Sequence, residues 1–203
     1  MQTRTYSQLY SLITSLAGVS SFTSAEQTDI LNFVNRRFYE AYSQSEIWPR
    51  YIVANEERTI IPTNTIQYTE SGKNDIEEFI RIFRSQPFIN NSSIEYEFWV
   101  DASGAHILNL VSTTDSSAFV TYKKSFSPTD GTDSDTIPFE FFNYIAHASY
   151  ADFLRMDGQT DKALLEEQKA FSYLALELEK AERRMNNSTI NKRMTTYVSR
   201  QAR

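Results

Sequence analysis

The sequence predicts an α+β protein: an antiparallel helical bundle assembled from both chain ends, a small inserted β domain, and an extended C-terminal arm. Three observations carry this prediction. Apolar residues recur at three- and four-residue steps near both ends, short β-rich runs crowd the middle, and charge is split along the chain. Residues 1–182 hold 14 Lys/Arg against 26 Asp/Glu, a balance of −12, whereas 183–203 hold six Arg/Lys and no acid. The resulting division is 1–47 for the N-terminal bundle helices and 48–136 for an inserted β-rich domain with one helix. It continues with 137–185 for a C-terminal helix hairpin completing the bundle and 186–203 for the basic arm.

Tyr6, Leu9, Tyr10, Ile13, Leu16 and Ala17 mark one face of a first helix, which Gly18 terminates. Thr23 or Ser24 caps the second, with Glu26 or Gln27 three positions on to close a capping box. Ile30, Val34, Phe38 and Ala41 form its buried stripe to about Gln44, and Trp48-Pro49 forbids simple continuation because the residue before proline is pushed out of the α region.

From there to Ser125 the texture is that of strands: Arg58 to Ile61, Thr65 to Thr69, Ile94 to Asp101, Ala105 to Ser112 and Ala118 to Lys124. Asp101-Ala102-Ser103-Gly104 reads as a hairpin turn. In the third run Ile94, Tyr96, Phe98 and Val100 alternate with Glu95, Glu97 and Asp101, as expected of one dry and one wet face. A helix is expected among these strands, capped by Asn74 with Glu77 closing the box, with Ile76, Phe79, Ile80 and Phe83 on its apolar side and Pro87 at its end.

Ser127 to Thr136, rich in Ser, Thr, Asp, Gly and Pro, is expected to be a mobile linker. Pro138 then restarts a helix lined by Phe142, Ile145, Ala146, Ser149 and Phe153. After the Asp157-Gly158-Gln159 turn, Thr160 or Asp161 caps a long helix with a stripe of Leu164, Phe171, Leu174, Leu178 and Ala181. Over 186–203 Asn, Ser and Thr compete with helix by bonding their own backbone, so isolated order should be poor. Ile190, Met194, Tyr197 and Val198 nevertheless fall at i, i+4, i+7 and i+8, a latent stripe for a partner groove. Fully extended, this segment reaches about 60 Å.

Composition narrows the function classes. The 40% hydrophobic content supports a folded core, and the absence of cysteine removes disulfides, thiolate catalysis and Cys-ligated zinc. The N-terminal pattern fits neither a signal peptide nor a membrane span. His106 and His147 lack a nearby Ser or Cys nucleophile motif and read as structural. Asp130, Asp133 and Asp135 lack the alternation and glycine of a calcium loop. Glu166, Glu167, Glu177, Glu179 and Glu182 lack the i, i+3 histidine of a di-metal site and read as a solvated face pairing with Lys162, Lys169 and Lys180. Five glycines form no phosphate-cradling loop. Tyr96, Phe98 and Trp99 could stack on nucleic acid, but Glu95, Glu97 and Asp101 beside them repel phosphate and favour a packing role. No cofactor and no metal are expected.

Ile137-Pro138-Phe139-Glu140-Phe141-Phe142-Asn143-Tyr144-Ile145-Ala146-His147-Ala148-Ser149-Tyr150-Ala151-Asp152-Phe153-Leu154, then Asp157-Gly158-Gln159-Thr160-Asp161-Lys162-Ala163, then Glu177-Leu178-Glu179-Lys180-Ala181-Glu182-Arg183-Arg184, resembles the C-terminal half of head-to-tail adaptor proteins of tailed bacteriophages. The N-terminal helix pair leading to Trp48-Pro49 is similar too, so the resemblance covers about half the chain, and it is a packing pattern rather than a catalytic signature. It implies a non-enzymatic structural protein of the virion neck, present in host cytoplasm during assembly and forming a ring, typically of twelve subunits. Such a ring docks on the portal protein, seats a tail or nozzle component, and lets genome DNA pass without specific binding. The arm that grips the portal would be carried by Ile190, Lys192, Arg193, Met194, Tyr197, Val198, Arg200 and Arg203. Alternatives are another neck or tail-completion protein, a non-viral interaction module with a basic tail, and an enzyme, for which no residue constellation is found.

Overall fold

The computed structural model describes residues 2–46, 48–87, 89, 93–109 and 115–201, with side chains through 183. In chain order the elements are β1 (Thr3–Thr5), α1 (Tyr6–Ala17), α2 (Ser24–Ser43), β2 (Ile52–Thr59), β3 (Thr65–Ile66), β4 (Ile76–Phe83), β5 (Phe98–Asp101), β6 (Gly104–Ile107), β7 (Ser117–Lys124), β8 (Thr136–Pro138), α3 (Phe139–Met156) and α4 (Thr160–Gln201). The fold is α+β, with small antiparallel sheets. The chain divides into a helical unit, Met1–Ser45 with Pro128–Arg203, and a β unit, Glu46–Ser127.

Local chemistry starts the helices of the first unit. Thr5 and Gln8 exchange cap bonds at the head of α1, each 3.3 Å, a box the sequence reading does not single out. Gly18 closes α1 at φ 69°, a left-handed conformation that costs glycine nothing. Thr23 and Glu26 form the expected box on α2, where the Thr23 backbone N–H and then its hydroxyl hold the Glu26 carboxyl below its ordinary pKa. The expected stripe of Ile30, Val34, Phe38 and Ala41 is buried, joined by Arg37 and Tyr42. Helix α3 is buried on nearly all sides and packs against α1, α2 and α4.

Helix α4 runs back along α3, setting Glu167 against Arg155, Tyr173 against His147 and Phe171 beside Tyr144. Its buried residues correct the expected stripe. Ala163, Ala170, Leu174 and Ala181 are buried, whereas Leu164 and Phe171 are exposed. Small side chains let the two backbones approach, and the bulky neighbours rotate off the contact line. The helix starts at Thr160, so the cap position falls on Gln159, whose carbonyl accepts from Ala163 N at 3.0 Å, rather than on Thr160 or Asp161. The backbone continues as helix to Gln201, where the sequence predicts an extended arm from 186. Elongating a formed helix escapes the nucleation cost that makes the isolated segment a poor helix.

The segment expected to be a mobile linker is pinned to the helical unit. The Asn35 side-chain amide donates to Thr129 O and accepts from Thr129 N, both at 2.9 Å, reproducing a strand pair with one side chain. Asp135 accepts from Thr129 Oγ1 at 2.6 Å and from Thr132, and these hydroxyl bonds hold its carboxyl down at about 2. The chain then forms β8, which pairs antiparallel with β1. Residues 128–136 therefore group with the helices rather than with the insertion.

In the β unit, sheets β2-β7-β4 and β3-β6-β5 enclose a core that includes Ile66, Ile82, Tyr96, Ala105, Val120 and Tyr122. The expected helix after Asn74 is strand β4. Its pairing with β7 slips between Ile76 and Glu78 and again between Phe79 and Arg81. Each bulge inserts one residue, so the buried positions Ile76, Phe79 and Ile82 recur every third residue and imitate a helix face. The expected dry face before the hairpin also shrinks: Tyr96 is buried and Phe98 packs on the core, but Ile94 and Val100 are exposed. Strand β2 starts earlier than the expected Arg58, because Asn55 takes a positive φ of 53° at a bulge and Thr121 bonds both its N–H and its side-chain oxygen.

The predicted turn joins β5 to β6, with Asp101 paired to Gly104. Gly104 has φ 142°, and a Cβ there would lie 2.1 Å from Ile66 O. Since Ile66 belongs to β3, paired to β6, the clash is with backbone that cannot move alone. Gly104→Ala is expected to destabilise the β unit by at least about 2 kcal/mol, read as a lower urea midpoint in tryptophan fluorescence. An unchanged midpoint would show that the β3–β6 spacing is not fixed as described.

Candidate interaction surfaces

The residues expected to grip a partner, Ile190, Lys192, Arg193, Met194, Tyr197, Val198 and Arg200, lie on the α4 backbone with side chains outside the described residues, and Arg203 lies outside altogether. Their grouping into an apolar and cationic stripe rests on the sequence.

A side-chain network that sequence reasoning misses ties three helices together. Asp152 of α3 accepts two 2.7 Å bonds from the Arg37 guanidinium of α2, from Nε and Nη2. Arg37 also donates to Glu40 at 2.8 Å and to Glu167 of α4 at 3.0 Å, and Arg155 bridges Asp152 and Glu167. Burial works against the Asp152 charge, yet hydrogen bonds from Arg37 and Arg36 hold its carboxyl below the ordinary value. Arg37 is likewise opposed by burial and held charged by Asp152 and Glu40. Glu167, expected on a solvated face, is half-buried in this network.

Both histidines are held by neighbours. His147 Nδ1 lies 2.7 Å from Glu166, and the ring stacks on Tyr173 at 5.3 Å. Glu166 is therefore partly buried rather than solvated, although it keeps the expected pairing with Lys169. Lys180 pairs with Glu177, whereas Lys162 bonds Gln159 instead of a carboxylate. His106 Nδ1 is 2.9 Å from Thr65 Oγ1, and Nε2 lies 3.1 Å from Ser103 Oγ and 3.0 Å from Asp101. Serine and aspartate thus share one ring nitrogen, while a charge-relay triad needs the carboxylate on the nitrogen opposite the nucleophile. The arrangement locks a turn.

Beyond its buried alanines, α4 exposes Leu164, Leu165, Phe171, Tyr173 and Leu176. Leu165 lines a shallow groove of about 480 Å³ with Tyr150, Leu154 and Lys169. Among the described residues no cluster of three or more His, Asp or Glu could hold a metal ion, and no helix is long and apolar enough to cross a membrane. No protein-family model matches the chain, and no curated protein matches it.

Removing the Asp152 carboxylate leaves Arg37 buried beside fewer partners. Asp152→Ala is expected to cost roughly 3–5 kcal/mol, measured by urea unfolding. Because the folded pKa is depressed, the carboxylate's contribution is complete above about pH 5 and is lost as pH falls through the folded value. Stability of the parent should therefore drop below that pH more steeply than stability of the variant. Parallel pH profiles would count against the network.

Proposed function

We propose that this chain is a structural head-to-tail adaptor in the neck of a tailed phage. It catalyses no reaction, assembles with copies of itself into a ring of about twelve, docks on the portal through its basic C-terminal segment, and seats a tail component. Support comes from the resemblance over 137–154, 157–163 and 177–184 and from the distribution of apolar residues around α4. That distribution is the observation that carries the reading. Ala163, Ala170 and Leu174 are buried where α4 packs on α3, while Leu164, Leu165, Phe171, Tyr173 and Leu176 stay exposed among the charged residues of the helix. Large apolar side chains left exposed on a helix mark a contact surface, and lateral packing of helices around a ring would cover them.

The acid-free run 183–203 provides charge for an anionic docking surface, while the acidic remainder would weaken contacts with passing DNA phosphate. Deleting residues after Met185 is expected to leave a folded protein, with its melting transition retained, that no longer joins portal-containing particles. Normal incorporation of the truncated protein would sink the docking role. Replacing both Leu165 and Leu176 by Ser is expected to change monomer stability by no more than about 0.5 kcal/mol per site. The same variant should reduce ring formation in native mass spectrometry of mixtures with portal. Rings of unaltered yield would remove α4 from the subunit contact.

A further inference from the structure

The β5–β6 hairpin carries an exposed tryptophan on a rigid base. Trp99 is 51% exposed, yet one indole face lies on the His106 ring, with centroids 4.6 Å apart and planes within 14°. Both ring nitrogens of His106 are engaged, so the platform beneath Trp99 is fixed by the pairing of β3, β5 and β6. Phe98, pointing the other way, anchors the strand against Phe79 in the core. An exposed aromatic held in one orientation loses little freedom on binding, which is what an anchor residue requires.

Strand alternation puts Glu97 and Asp101 on the same side as Trp99, two residues before and two after, each about 7 Å along the strand. The extended pairing reaches back to Glu97, whose backbone carbonyl accepts from Leu108 N at 2.9 Å and whose N–H donates to Asn109 Oδ1. Asp101 accepts from Ser103 N and Oγ at 2.7 and 2.6 Å, and its other oxygen lies 3.0 Å from His106 Nε2, which fixes the carboxylate beside the ring on which Trp99 stacks. Along this face of the strand, Trp99 therefore stands between two acids.

We propose that the outward face of Trp99, flanked by Glu97 and Asp101, receives an arginine side chain of a partner protein. A guanidinium stacks flat on an indole while its edge N–H groups reach a carboxylate beside the ring, which a compact ammonium cannot do at once. Charge complementarity selects this occupant over nucleic acid, since the acids that attract a guanidinium repel phosphate. The inference concerns the β unit alone and stands apart from the adaptor reading.

The test uses the full chain and follows the indole N–H signals of its two tryptophans by NMR. Titration with a tetra-arginine peptide is expected to move the Trp99 signal to saturation and leave that of the buried Trp48 in place. The uncharged tetra-citrulline isostere should move neither. Glu97→Gln, at an exposed position, is expected to weaken the arginine peptide about three- to fivefold, with the melting transition unchanged. No response to arginine, an equal response to citrulline, unchanged affinity in Glu97→Gln, or a response to oligothymidylate in place of the peptide would each overturn the proposal.

Discussion

A single buried carboxylate sets how the helices of the first unit face one another. Asp152 takes both forks of Arg37, and through Arg37 and Arg155 it reaches Glu167, so α2, α3 and α4 share one ionic joint. Burying such groups is costly, and a well-packed apolar trio of similar volume could be as stable. What the joint adds is orientation. A fork-to-fork bond tolerates little rotation, and the alanines that place α4 against α3 would otherwise permit several registers. With Arg37 fixed, the outward positions of α4 are fixed as well, including Leu165 and Leu176.

Features encoded within a few residues were legible in the sequence. The Thr23–Glu26 box, the Gly18 terminus and the Asp101–Gly104 turn each depend on chemistry that spans four residues or fewer. Features made by pairing distant segments were not. Strands β1 and β8 have three residues each and carry no periodic signal, and Asn35 meets Thr129 across 94 positions. Strand β4 imitates a helix for a definite reason. Two bulges turned a spacing of two into a spacing of three, and Asn74 and Glu77 happened to imitate a cap.

The candidate surfaces divide in the same way. The charge of 183–203 can be counted from sequence, but the Arg37–Asp152 joint and the stacking of Trp99 on His106 are tertiary facts. Composition suggested that Tyr96, Phe98 and Trp99 acted together as packing residues. Their strand divides them: Tyr96 and Phe98 serve the core, and Trp99 faces solvent between acids. The α4 backbone also changes the geometry expected of the C-terminal segment. As helix, the 16 residues 186–201 advance about 24 Å, where an extended chain of the same length would span about 53 Å.

The seam formed by β1 with β8 and by Asn35 with Thr129 has an evolutionary consequence. The chain leaves after α2 and is captured again before α3 by contacts made entirely within the helical unit. Glu46–Ser127 is thus an insertion between two chain ends that the helical unit holds with its own residues. Closure entropy grows only with the logarithm of loop length, about 0.6 kcal/mol per doubling, so insertions of very different size could be exchanged at this junction while the host framework kept its fold.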